Sequence, residues 1–212
     1  LDLSLYDVEE DVTDGIVIAI AERCPGLTSI TLDKCEITDA TLIALAEHCP
    51  RLTIFHLDYE DIEQLGVTDD GVVALAANCP GLTEVTIGGM MDDTITDNAI
   101  IAVAENCPGL TILRLDGCCS HITDKSITRV AVNCPGLTRL QLLGVFQNIT
   151  DTSMIALWQH CYHLIYIGLD LCNVEPELRG ITGFGDQLVD EIMKRARDLD
   201  DGTGPQCKGQ MN

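Results

Sequence analysis

Apolar residues return along this chain in a fixed figure. A Leu is followed by apolar residues at the third and fifth positions after it: Leu27/Ile30/Leu32, Leu52/Phe55/Leu57, Leu82/Val85/Ile87, Leu110/Leu113/Leu115, Leu137/Leu140/Leu142 and Leu164/Ile167/Leu169. The closing alternation, as in Ile30-Thr31-Leu32, predicts a short strand with one buried face. After each strand comes an apolar-Thr-Asp triplet: Val12-Thr13-Asp14, Ile37-Thr38-Asp39, Val67-Thr68-Asp69, Ile95-Thr96-Asp97, Ile122-Thr123-Asp124 and Ile149-Thr150-Asp151. This is a helix start: Thr accepts from the free amides of the first turn, and Asp complements the positive end of the helix dipole. The Ile or Val ahead of each Thr is placed to staple onto Val17, Leu42, Val72, Ile100, Ile127 and Met154. Apolar residues then follow at helical spacing, as in Leu42, Leu45, Ala46 and Cys49, before Pro50 ends the helix.

The marker of each return is a cysteine, followed by Pro at Cys24, Cys49, Cys79, Cys107 and Cys134 and by Tyr162 at Cys161. Its spacings are 25, 30, 28, 27 and 27 residues. One strand, one loop and one helix of this length cannot bury their own apolar side, so units must stack on one another. The expected fold class is therefore α/β, a solenoid of strand-loop-helix units with a parallel sheet on its concave side and helices on its convex side.

The ends of the array read differently. The repeat covers residues 1–172, with Leu1-Asp2-Leu3 already inside a strand and no F-box-like helical segment ahead of it, an expectation that something N-terminal is missing. Residues 173–199 are expected to form an irregular last repeat whose amphipathic helix, Asp186 to Leu199, covers the open apolar end through Leu188, Val189, Ile192 and Met193. Residues 200–212 read as a mobile tail. Trp158 stands at the phase held elsewhere by Ala46, Ala76, Ala104 and Ala131, and is expected to fill space near the closing end.

Composition narrows what the stack meets. Acidic residues number 34 against 12 basic ones, a formal charge of −22. Nucleic acids and anionic membrane surfaces call for a basic stripe, and none is visible, so neither is an expected partner. No apolar run reaches membrane-spanning length. A protein partner is expected, with basic character favoured by the charge, although acidity also serves solubility. Eleven cysteines, an odd count mostly in one phase of the repeat, read as reduced and buried. That points to the cytoplasm or another reducing intracellular compartment. The sequon Asn148-Ile149-Thr150 is discounted, because its Thr is needed as a helix cap.

These residues together resemble the cysteine-containing leucine-rich repeat family, whose pattern is C-P-x-L-x-x-L-x-L-x-x-C followed by I-T-D and a helix. The segment from Cys107 to Asp124, CPGLTILRLDGC and then ITD, carries the resemblance most closely. The second cysteine of the pattern stands at Cys35, Cys118 and Cys172, while Glu60, Met90 and Val145 occupy the approximate equivalents in units whose loops carry insertions. Such repeats occur in F-box/leucine-rich-repeat proteins and in related adaptors lacking an F-box. The resemblance implies a non-catalytic protein-interaction module, and more finely the substrate-recognition part of a ubiquitin ligase adaptor. The rival expectation is a scaffold subunit packed within a large assembly, and the full-length N-terminus would discriminate between the two.

Two surfaces are candidates for the contact. On the concave face, residues between the buried strand positions point out, and His56, Thr86, Ile112, Arg114, Arg139, Gln141 and Tyr166 are the expected partner-binding set. Arg and Tyr are enriched where binding energy concentrates. Arg114 and Arg139, on successive strands, are expected to make a basic spot. The second surface is a rim of strand-to-helix loops rich in carboxylates: Asp58, Glu60, Asp61, Glu63, Asp92 and Asp93. Such a rim would speed encounter with a basic partner, with strong salt dependence, or simply keep the molecule soluble.

No catalytic residue, metal site or cofactor is expected. Cys118-Cys119-Ser120-His121 has the look of a cluster, but a zinc site needs a second ligand pair and none follows. A metal ladder along Asp33, Asp58, Asp116 and Asp170 lacks any dedicated calcium-loop spacing. No phosphate loop, dinucleotide fingerprint or Gly-x-Ser-x-Gly elbow is present.

Overall fold

The computed structural model describes residues 2–4, 12–33, 35–58, 66–88, 94–116, 121–143 and 148–169. Strands and helices alternate through them: β1 (Asp2–Ser4), α1 (Asp14–Arg23), β2 (Ser29–Asp33), α2 (Asp39–His48), β3 (Ile54–Asp58), α3 (Asp69–Asn78), β4 (Glu84–Gly88), α4 (Asp97–Asn106), β5 (Ile112–Asp116), α5 (Asp124–Asn133), β6 (Arg139–Leu143), α6 (Asp151–His160) and β7 (Tyr166–Leu169). The strands make one parallel sheet in chain order, β1 to β7. Register follows the repeat: Ile30 lies against Phe55, Phe55 against Val85, Val85 against Leu113, Leu113 against Leu140 and Leu140 against Ile167. This is the leucine-rich-repeat solenoid that the periodicity predicts.

Each helix starts and stops where its triplet and its cysteine place it. The Thr before each helix is extended, and Thr38, Thr68, Thr96, Thr123 and Thr150 each accept a hydrogen bond from the backbone N–H two residues on. Thr13 has the same backbone shape without that bond. The marker cysteine is the C-cap of every helix, its N–H closing the last turn, as from Cys49 to the Leu45 carbonyl at 2.8 Å. The residue after it is Pro in five of the six units, so the helix cannot continue.

The apolar strip between sheet and helices is one continuous cluster from Val12 to Ile167. The stapling pairs are inside it, as are Cys35 and the marker cysteines from Cys49 to Cys161. Trp158 is half-buried against its end. A fully buried Leu or Phe side chain contributes about 1.5–3 kcal/mol, so this strip outweighs any single polar contact in the stack. The outward side of the helices is unusually apolar for a solvent face, with Ile16, Ile43, Val73 and Val132 between 38% and 49% exposed. No helix among the described residues is long and apolar enough to cross a membrane.

Candidate functional site

One face of the sheet is covered by helices, and among the described residues the other is open. Residues at the first and third positions of β3 to β7 stand on the open face in two rows. The first runs Ile54, Glu84, Ile112, Arg139, Tyr166, and the second runs His56, Thr86, Arg114, Gln141, Gly168. All seven residues expected on the concave face therefore lie in these two rows.

Their environments differ. Glu84 is the hub of the first half: its Oε1 accepts from the Arg114 guanidinium at 2.9 Å and lies 3.0 Å from His56 Nε2. Arg114 spans from β5 to β4 to make that contact and passes 3.5 Å from the Thr86 hydroxyl. Thr86 is consequently only 7% exposed. It is a short side chain between His56 and Arg114 on neighbouring strands, covered by its longer neighbours. Arg114 lies opposite Gln141, its charge is engaged by Glu84, and Arg139 sits one row over, between Ile112 and Tyr166.

Arg139 is exposed, with its guanidinium carbon 5.1 Å from the centre of the Tyr166 ring. Tyr166 lies along its own strand over Gly168, where an added Cβ would stand 2.8 Å from the Tyr166 hydroxyl. Gln141 donates to both Asp116 carboxylate oxygens at 3.1 and 3.3 Å. Ile112 is half-buried beside Arg139.

Of the acidic rim, Asp58 ends β3, half-buried, its Oδ1 leaning over the backbone of Gly88 on β4. Glu60, Asp61, Glu63, Asp92 and Asp93 lie outside the described residues, as do Cys118, Cys119, the expected capping helix 186–199 and the tail 200–212. Among the described residues, no three His, Cys, Asp or Glu side chains are grouped to hold a metal.

Three ladders hold the face in register; the Thr-Asp triplet and the repeating cysteine stand out in the sequence, each for a role within its own unit, and the bonds between units do not. In the first, the Asp of each triplet grips the Thr of the next. Asp14, Asp39, Asp69, Asp97 and Asp124 accept from the backbone N–H of Thr38, Thr68, Thr96, Thr123 and Thr150 at 2.7–2.9 Å, and from the hydroxyl at 2.5–2.7 Å. Burial acts to raise the Asp14 pKa, but hydrogen bonds from Thr41 and Thr38 outweigh it and leave the carboxyl below its ordinary value. In the second, the hydroxyls of Thr53, Thr83, Thr111 and Thr138 each donate to the carbonyl of the preceding Thr in the series that begins at Thr28. The recurring Leu-Thr pair was the available signal for it, and Ile165 ends it. In the third, each marker thiol from Cys49 to Cys161 points at carbonyls one unit back, 3.5–3.8 Å away. Burial pushes the thiols of Cys79 and Cys134 up to about 12 and those of Cys107 and Cys161 up to about 11. They are buried structural thiols in this environment.

The open sheet, the helix layer and these ladders define a leucine-rich-repeat-like solenoid. No family model matches the chain, and no curated protein does. Among solved structures, a chain of the yeast Rad7 and Elc1 complex is similar at 18% identity and a TM-score of 0.49. The likeness covers 78% of this chain and 56% of that one.

Proposed function

We propose that this chain is a protein-interaction module of the cysteine-containing leucine-rich repeat kind, which holds a partner segment on its open sheet face and catalyses no reaction. One observation carries the reading. His56, Ile112, Arg114, Arg139, Gln141 and Tyr166 stand in two registered rows on a sheet face that no other described element covers. Fixed spacing and side chains anchored by their neighbours reduce the ordering cost of binding. The partner is a protein of basic character, drawn by the formal charge of −22 and by the carboxylates of the rim, with nucleic acid and membrane disfavoured by that charge. The finer form is substrate recognition for a ubiquitin ligase in a reducing intracellular compartment. It follows from the repeat pattern alone and needs a ligase-binding segment elsewhere in the protein.

A second reading, a scaffold subunit within a large assembly, is favoured by the helix layer. Ile43, Val73 and Val132 are exposed where charged residues would serve a free surface better. Purification of the tagged full-length protein from native extract, beside an Ile112→Lys variant, separates the two. Ligase components and one partner lost in the variant support the adaptor. A stoichiometric complex indifferent to Ile112→Lys supports the scaffold. Recovery of no partner at all counts against both.

A further inference from the structure

The open face carries two arginines, and they are not equivalent. Arg114 is anchored to Glu84, so its charge is already answered. Arg139 is exposed and has no carboxylate within ion-pair distance among the described residues; its neighbour is the Tyr166 ring. A guanidinium at this distance is held by the ring's quadrupole, and the contact itself does not occupy its N–H donors. The ring itself is seated. Tyr166 occupies the space over Gly168, the one position of the second row without a side chain, where the neighbouring strands carry His56, Thr86, Arg114 and Gln141. Gly168 admits Tyr166, and Tyr166 positions Arg139.

We propose that Arg139, held over Tyr166, is a receptor for one carboxylate side chain in a protein partner's bound segment, and that this contact fixes the segment's register on the open face. The inference rests on the proposed reading of that face as partner-binding. A planar guanidinium matches a carboxylate in bidentate fashion, which supplies geometry as well as attraction. Ile112 beside it offers an apolar shelf for a neighbouring side chain of the same segment. A phosphate group would also suit an arginine, but a dianion meets about twice the repulsion of a carboxylate from a molecule of formal charge −22. The segment is thus basic overall, drawn by the acidic molecule, with one acidic residue that seats on Arg139.

The test is a selection of short random peptides on the full chain, followed by affinity measurements on wild type, Arg139→Gln and Ile112→Lys. Arg139 is exposed, so unchanged thermal unfolding of Arg139→Gln serves as the control for folding; Arg139→Lys is a second variant that keeps the charge and removes the fork. The expected peptides carry Asp or Glu at one fixed position. Changing that residue to the amide weakens binding to wild type about ten-fold, and to Arg139→Gln by less than about two-fold. Peptides without an acidic preference, or an acidic preference indifferent to Arg139, overturn the receptor while leaving the open face in place. Peptides indifferent to Ile112→Lys as well overturn the face. Tighter binding when phosphoserine replaces the acidic residue overturns the carboxylate assignment. A selection that yields no binder overturns both.

Discussion

The carboxylate of Asp39 accepts two hydrogen bonds from Thr68, one from its backbone N–H at 2.8 Å and one from its hydroxyl at 2.7 Å, across 29 residues of chain. The same Thr68 hydroxyl accepts from the Asp70 N–H and so caps α3. Asp39 therefore secures the start of a helix that is not its own. A third bond reaches it from the Gly71 N–H at 3.1 Å. Replacing Asp39 by Ala removes the acceptor of all three, and two of them are backbone donors that would be left without it. The expected loss is about 1–3 kcal/mol, read from urea unfolding with the variant beside wild type. A change under about 0.5 kcal/mol would show that water replaces the carboxylate at no cost.

Acid should weaken the equivalent joint at Asp14 in a defined direction. Hydrogen bonds hold the folded-state pKa of Asp14 below its ordinary value. A depressed carboxyl contributes stability above the unfolded-state pKa, near 4, and that contribution is lost as pH falls through the lower folded-state value. Between neutrality and about pH 5 the Asp14 contribution should be flat. Asp14→Asn should flatten the acid limb of the unfolding midpoint. An unaltered limb in that variant would assign the acid sensitivity to other carboxylates.

Base should act on Cys79, Cys107, Cys134 and Cys161 with the opposite sign. Their folded-state pKa values lie above that of an unfolded thiol, so the unfolded chain loses protons first and stability falls as pH rises from about 8.5 toward 11–12. The same protection predicts that iodoacetamide at pH 8 spares Cys79, Cys107, Cys134 and Cys161 in the native protein and modifies them in urea. Mass spectrometry of the alkylated peptides reads this directly. Equal labelling in the two states would mean that the helix ends open readily.

Phe55 is the largest fully buried side chain among the described residues and sits between Ile30 and Val85 on neighbouring strands. Phe55→Ala should cost about 3–5 kcal/mol, the transfer loss together with the cavity. In a one-dimensional stack the damage stays close to the lesion. Hydrogen exchange should accelerate most in β2, β3 and β4 and least in β6. Uniform acceleration from β2 to β7 would instead describe a single cooperative unit.

Gly168→Ala tests the seating of Tyr166. The new Cβ would stand 2.8 Å from the Tyr166 hydroxyl and 3.1 Å from its ring, so the side chain must move. The expected result is a changed near-ultraviolet tyrosine dichroism with an unfolding free energy within about 1 kcal/mol of wild type. An unchanged tyrosine signal would mean that Tyr166 does not rest on Gly168.

Most of this architecture is written in short-range pattern. The cysteine-proline turn, the Thr cap and the Leu-x-x-apolar-x-apolar strand are each local, and each was legible from neighbours along the chain. The contacts between units were not. Asp39 reads locally as a partner for its own helix dipole, and only register brings Thr68 to it. The role of Glu84 depends on register as well, since only β4 places it between His56 on β3 and Arg114 on β5. Thr86 was read as open because strand alternation ignores the length of its neighbours. Arg114 and Arg139 read as a pair because successive strands were recognised, while their different rows in the sheet separate them.

The joint between Asp39 and Thr68 has the same chemistry as those between Asp14 and Thr38, Asp69 and Thr96, and Asp97 and Thr123. The connectors are thus interchangeable. Excising one whole period, from one Asp through the next Thr, would bring together two ends that already know the same handshake. A gene built this way can gain or lose units without inventing a new junction, and the length of its open face is free to follow the length of what lies on it.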